Sequence, residues 1–209
     1  MTATAAPRDL PAPRHPGQPY RVIMVCTGNI CRSAMAEVVL TDRLVAAGVP
    51  MSGPTGVVVT SAGVSAEETG NPIDSRARRL LAERGYGQGA DPAARATSQR
   101  LSRHQAHRVS DAELRDADLL LAMTAAHRRE LRRRCESLGL DPERVHLFRH
   151  HEPQQPQQAD RQDLAGGRDL DVPDPWYGTM ADFVDTLEVV ERVSDSLCLR
   201  LRQAATRQP

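Results

Sequence analysis

The chain has 209 residues, enough for one α/β domain with a substantial core and short for two, and its 27 basic residues, all arginine, balance 27 acidic ones. With no net charge and 3% aromatic residues, it offers neither the positive field nor the stacking platforms of a nucleic-acid binder. No apolar run approaches the roughly 18 to 20 residues of a membrane span, so no membrane contact is expected.

Residues 1–19 mix Ala, Thr, Pro, Arg and Gly without an apolar stretch and read as a disordered leader rather than a secretory signal. Tyr20 to Val25 then reads as a short buried strand. The loop Cys26-Thr27-Gly28-Asn29-Ile30-Cys31-Arg32-Ser33 follows and opens a helix-patterned stretch, Ala34 to Ala47, which Gly48 and Pro50 stop. Val57 to Thr60 is a second buried strand between Gly56 and Gly63. Pro72 and Asp74 introduce a helix carrying Ala77, Leu80 and Leu81, ended by Gly85. Gly87 to Arg100, rich in Gly, Ala, Pro and Ser, reads as a long loop. Asp118 to Met123 is a third apolar run, Thr124 to Leu138 a charged amphipathic helix, and Val145 to Phe148 a fourth strand. Residues 150–170, Gln/Pro-rich and without apolar periodicity, read as a flexible excursion. A last helix is expected from Thr179 to Leu201, with Phe183, Leu187, Val190, Val193 and Leu197 on one face.

Strands alternating with helices imply a four-stranded parallel sheet flanked by helices on both faces, a flavodoxin-like three-layer α/β arrangement in a single domain spanning residues 20–205. Such sheets bind ligands at the carboxyl ends of their strands, where the first loop sits. That loop has the makings of an oxyanion site with a nucleophile in its floor. A strand-to-helix turn leaves backbone N–H groups unpartnered and aimed at one space. Gly28 and Asn29 tolerate the left-handed angles that a loop curled around an anion needs. Arg32 adds a planar fork matched to two phosphate oxygens, and its positive field favours a thiolate at Cys26. Ser33 can donate its hydroxyl to that sulfur. Phosphate-ester cleavage also needs a proton donor, and the best placed is Asp174 in Asp171-Val172-Pro173-Asp174-Pro175-Trp176-Tyr177-Gly178, where two prolines stiffen a loop before a helix. Asp171 lacks a following proline and reads as structural.

Four stretches in this order resemble the low-molecular-weight protein-tyrosine phosphatase family: the loop from Val25 to Ser33, Ser61-Ala62-Gly63, Ala117 to Met123, and Asp174-Pro175-Trp176-Tyr177-Gly178. The resemblance covers about residues 20 to 203 and implies the fold described above. It implies that Cys26 is the nucleophile, that Arg32 and the loop amides of Thr27, Gly28, Asn29, Ile30 and Cys31 bind the phosphoryl oxygens, and that Asp174 is the general acid and then the base that activates water. By the same resemblance Asn29 holds the loop shape, Ser33 stabilises the sulfur, and Cys31 either packs or closes a disulfide onto oxidised Cys26. The implied reaction is hydrolysis of phosphotyrosine in proteins, and of small aryl phosphates, through a phosphocysteine, with no metal and no cofactor. Its partners are phosphotyrosine-containing proteins, and a reducing cytoplasm suits its thiolate.

Trp176 and Tyr177 are expected to wall the cleft beside Asp174. On the opposite side, family members often place an aromatic residue where this chain has Ser65-Ala66-Glu67-Glu68-Thr69, so Glu67 becomes a cleft candidate that would repel acidic peptides. Ala34 replaces a frequent proline at the helix start. His127, His146, His150 and His151 show no metal-ligand spacing and read as surface histidines. Cys135 and Cys198 read as packing residues. Among rivals, a phosphoarginine phosphatase shares the scaffold but typically has threonine at the position of Ile30. A thiol-dependent arsenate reductase needs a close pair of further cysteines, whereas Cys135 and Cys198 are 63 positions apart. A non-catalytic phosphate-binding module would be expected to lack the nucleophile, the arginine or the acid, and a nucleotide-binding P-loop requires a lysine the chain does not have.

Overall fold

The computed structural model describes residues 9–153 and 170–206. Its strands are β1 (Tyr20–Cys26), β2 (Val57–Gly63), β3 (Leu119–Ala122) and β4 (Val145–Leu147), and its helices are α1 (Arg32–Ala46), α2 (Ser75–Glu83), α3 (Pro92–Arg103), α4 (Asp111–Asp116), α5 (Ala125–Ser137) and α6 (Met180–Thr206). The strands form one parallel sheet in the order β2-β1-β3-β4. Because the chain leaves β1 toward β2 and then returns past it to β3, connections depart in opposite directions on either side of β1 and open a crevice at its carboxyl end.

Strand periodicity sorts the side chains into two cores. Val22, Met24, Val57, Val59, Leu119 and Leu121 face one side, where α1 and α6 cover them with Val38, Leu44, Phe183, Leu187 and Val190. Ile23, Val25, Leu120 and Ala122 face the other and meet Leu114 of α4 and Leu131 of α5. The expected three-layer α/β fold is thus observed. The stripe Phe183, Leu187, Val190, Val193 and Leu197 is fully buried along α6, as its helical spacing requires.

Three expectations need correction. Residues 87–100 are largely not a loop, since α3 occupies Pro92–Arg103. Asp91 caps it by accepting from Ala94 N, Pro92 sits in the first turn, and Thr97 is buried and donates to Ala93 O at 2.9 Å, so alanine and proline here serve a helix start. His127, His146 and His151, expected at the surface, are buried. The rings of His146 and His151 stack with centroids 5.3 Å apart, and His127 faces the first loop. Of the expected disordered leader, residues 9–18 lie against the domain: Asp118 accepts from Arg14 N at 2.6 Å and from Arg21 N at 2.7 Å, and Tyr20 donates its hydroxyl to Pro11 O at 3.0 Å. Residues 1–8 and most of the expected excursion at 150–170 lie outside the described residues.

Candidate active site

Gly63, at the carboxyl end of β2, explains how the first loop fits into the crevice. A Cβ there would lie 2.4 Å from Thr27 O, and the close approach lets Val64 N and Ser65 N donate to the carbonyls of Cys26 and Thr27. The loop then curls back through Asn29, the described non-glycine residue with positive φ, at 62°. Asn29 is fully buried and saturated: Nδ2 donates to Ser61 Oγ at 2.8 Å and to Ser33 Oγ at 3.1 Å, while Oδ1 accepts from His107 N at 3.2 Å. His104 Nε2 lies 2.7 Å from its carbonyl. Behind it, Ser61 Oγ donates to Glu37 at 2.5 Å, and Arg100 pairs with the same carboxylate at 3.1 Å. Burial pushes the Glu37 carboxyl up, against the hydrogen bonds and the Arg100 charge that pull it down.

Within the curl, Cys26 Sγ accepts from Asn29 N at 3.3 Å and lies 3.0 Å from Ser33 Oγ. The single hydroxyl hydrogen of Ser33 can go to a thiolate or to Ala62 O at 3.3 Å. Side chains cap the starts of α2 to α5, namely Asp74 on α2, Asp91 on α3, Ser110 on α4 and Thr124 on α5. Cys31 makes no such bond at the start of α1, so the amides facing Cys26 have no internal acceptor from their cap.

The distant segment arrives where it is needed. Arg32, buried beneath the surface, donates from Nη2 to Asp174 Oδ2 at 2.6 Å and to Thr27 Oγ1 at 3.3 Å. Cys26, Arg32, Ser33 and Asp174 therefore converge. Asp171 instead accepts from Ala125 N at 2.6 Å and anchors α5, a structural placement. Cys31 packs in the core, and burial first, then the nearby Asp74 and Cys26, push its thiol up, so it holds its proton. Ile30 is buried and packs in the core. Trp176 packs partly on the core, whereas Tyr177 is 96% exposed and meets Trp176 edge-on at 6.4 Å. Across the loop, Glu67 is exposed and Glu68 lies nearer the site: a Cβ on Gly28 would sit 2.8 Å from Glu68 Cγ. Among the described residues no cluster of three His, Cys, Asp or Glu could hold a metal ion.

His127 is a site residue that spacing alone placed on the surface. Its Nε2 lies 3.0 Å from Thr27 Oγ1. Thr27 Oγ1 also accepts from Arg32, and the other ring nitrogen of His127, Nδ1, is buried with no hydrogen-bond partner among the described residues. Burial first, and the Arg32 charge second, lower its pKa to about 4.

Comparison with known proteins bears on this geometry. A family model described as low molecular weight phosphotyrosine protein phosphatase matches residues 21–207. A low molecular weight protein-tyrosine-phosphatase of Streptomyces coelicolor is 36% identical over 184 residues, 88% of this chain and 94% of the relative. The protein tyrosine phosphatase of Entamoeba histolytica shares the fold, with a TM-score of 0.66 at 22% identity over 88% of this chain and 97% of that one. An arginine phosphatase from Geobacillus stearothermophilus superposes with a TM-score of 0.61 at 26% identity, covering 88% and 94% of the two chains. No described helix is long and apolar enough to cross a membrane. The family match runs from β1 through α6 and so takes in every residue of the site: the chain belongs to the low molecular weight phosphotyrosine protein phosphatase family.

Proposed function

We propose that the chain hydrolyses phosphotyrosine in proteins, and small aryl phosphates, by two displacements at phosphorus. In the first, the Cys26 sulfur attacks the phosphoryl group held by Arg32 and the amides at the start of α1; the S–P bond forms, the P–O bond to the ring breaks, and Asp174 gives its proton to the departing phenolic oxygen. In the second, the Asp174 carboxylate takes a proton from water as the water oxygen attacks phosphorus, the S–P bond breaks, and phosphate leaves. Ser33 and Asn29 N–H stabilise the thiolate as leaving group. The observation that carries this reading is the 2.6 Å contact between Arg32 and Asp174, which holds a carboxyl group over the phosphate loop. A seated dianion would take Arg32 from Asp174 and free the carboxyl group for the leaving oxygen.

Trp176 supplies a wall for the aryl ring, and Ile30 adds apolar bulk to the loop. A phosphoarginine phosphatase is the second reading, favoured by Glu68 beside Gly28, whose charge suits a cationic guanidinium better than a tyrosine ring. Phosphotyrosine, phosphoserine and phosphoarginine substrates, together with arsenate, should be compared on one preparation. Preferential turnover of phosphotyrosine is expected, and preference for phosphoarginine would overturn the assignment. A reducing compartment such as the cytoplasm suits the unpaired Cys26 and Cys31.

A further inference from the structure

The segment carrying Asp174 is tied down first by Val172 N donating to Met123 O at 2.8 Å and by Thr186 Oγ1 donating to Pro173 O at 3.2 Å. Its far half is held by Arg76 at the start of α2. Arg76 Nε and Nη2 donate to the two oxygens of Asp74 at 3.1 and 3.0 Å, Nη2 also donates to Trp176 O at 3.1 Å, and Nη1 donates to Gly178 O at 3.3 Å. The guanidinium carbon sits 4.5 Å from the Phe183 ring centre and 5.8 Å from that of Trp176. Two contacts connect this fork to the chemistry. Asp74 N donates to Ile30 O at 2.9 Å, which ties Asp74 to the phosphate loop, and Trp176 N donates to Asp174 Oδ1 at 3.2 Å, which braces the carboxylate itself. A run of hydrogen bonds therefore leads from Ile30 through Asp74 and Arg76 to the peptide groups of Trp176, and from there to Asp174.

An ion pair between Arg76 and Asp74, only two residues apart and partly exposed, adds little stability by itself. What distinguishes this arrangement is its geometry: one rigid fork serves a carboxylate and two carbonyls at once, which a lysine's single ammonium cannot reproduce. We infer that Arg76 is a positioning residue for the general acid: it fixes the backbone of residues 176–178 relative to the phosphate loop and thereby sets where Asp174 reaches. The inference rests on the reading of Asp174 as the proton donor.

A proton donor matters most for a poor leaving group, so the test compares kcat/KM for phenyl phosphate with that for 4-nitrophenyl phosphate, whose phenolate leaves with little help. Arg76→Met should lower the phenyl phosphate value about ten- to hundredfold, the scale of a small misplacement of a catalytic group, while changing the nitrophenyl value less than about threefold. Added to Asp174→Ala, the same substitution should cause no further selective loss. Arg76→Lys should resemble Arg76→Met. Equal losses on both esters, a selective loss that persists without Asp174, or recovery by lysine would each overturn the inference. Should Arg76→Met fail to fold, Asp74→Asn, which weakens the fork's anchor, should give the same selectivity to a smaller degree, and equal losses there would count against it. A wild-type protein inactive on both esters would instead remove the phosphatase reading itself.

Discussion

Arg32 and Asp174, 142 positions apart in the chain, meet at 2.6 Å, so the residue suited to bind phosphate is paired with the residue suited to protonate the leaving group. In the proposed reaction the substrate phosphate would compete with Asp174 for one guanidinium. Asp174→Asn should therefore move two quantities in opposite senses. Affinity for vanadate should rise by up to about fivefold, because a competing negative charge is gone. The kcat for phenyl phosphate should fall about 10²–10⁴-fold. Competitive inhibition and steady-state kinetics on the same sample measure both, and weaker vanadate binding would argue that Asp174 supports the anion site rather than competing for it.

Asn29 concentrates the cost of shaping the loop, since its backbone takes a positive φ and its buried side chain joins Ser61, Ser33 and His107. Asn29→Ala leaves Ser61, Ser33 and the His107 N–H short of partners and keeps the strained backbone. Chemical denaturation should record a loss of about 1–3 kcal/mol, accompanied by a fall in kcat. A variant of unchanged stability would mean that the loop is held from elsewhere.

His127 predicts a pH dependence with a definite sign. Unfolded, it takes up a proton below about 6.5. Folded, it does so only below about 4. Between those values the unfolded chain binds more protons, so the histidine's contribution costs stability as pH falls through that window, by about 3 kcal/mol in all, and the loss stops growing below it. Denaturation of wild type and His127→Gln from pH 4 to 7 isolates the effect: their difference in stability should shift in favour of wild type as pH rises. A difference independent of pH would show that His127 is not the group responsible.

Glu68 lies beside Gly28 of the phosphate loop, where its charge would act on whatever flanks a bound phosphorylated residue. Glu68→Gln should raise kcat/KM for a phosphotyrosyl peptide with acidic neighbours by about two- to fivefold at low salt, and less at high salt. Peptides with basic neighbours should respond in the opposite direction. An equal response from both peptides would assign Glu68 a packing role.

The groups proposed to react could be singled out in the sequence because each is tied to a short pattern: Cys26 to Ser33 around a strand-to-helix turn, and Asp174 between two prolines. Apolar runs likewise marked the four strands, since parallel strands buried on both faces read as continuous hydrophobic stretches. What escaped was set by tertiary contact. Glu37, Ser61, His104 and His107 support Asn29 from α1, β2 and the segment after α3, and no spacing in the chain announces that they meet. His127 read as a surface residue because it has no metal-ligand spacing, yet in the first turn of its helix it lies against Thr27. The helix at Pro92–Arg103 was hidden by composition, although Asp91-Pro92 followed by alanines is a start signal when taken by position.

In the proposed reaction the phosphoryl group passes through the Cys26 sulfur. Turnover of a phosphotyrosyl peptide quenched in denaturant within the first catalytic cycles, followed by mass-spectrometric mapping, should find one phosphoryl group on the peptide containing Cys26, and none in Cys26→Ser during the same interval. Steady release of phosphate with no phosphorylated Cys26, or with the phosphoryl group on another residue, would contradict the account.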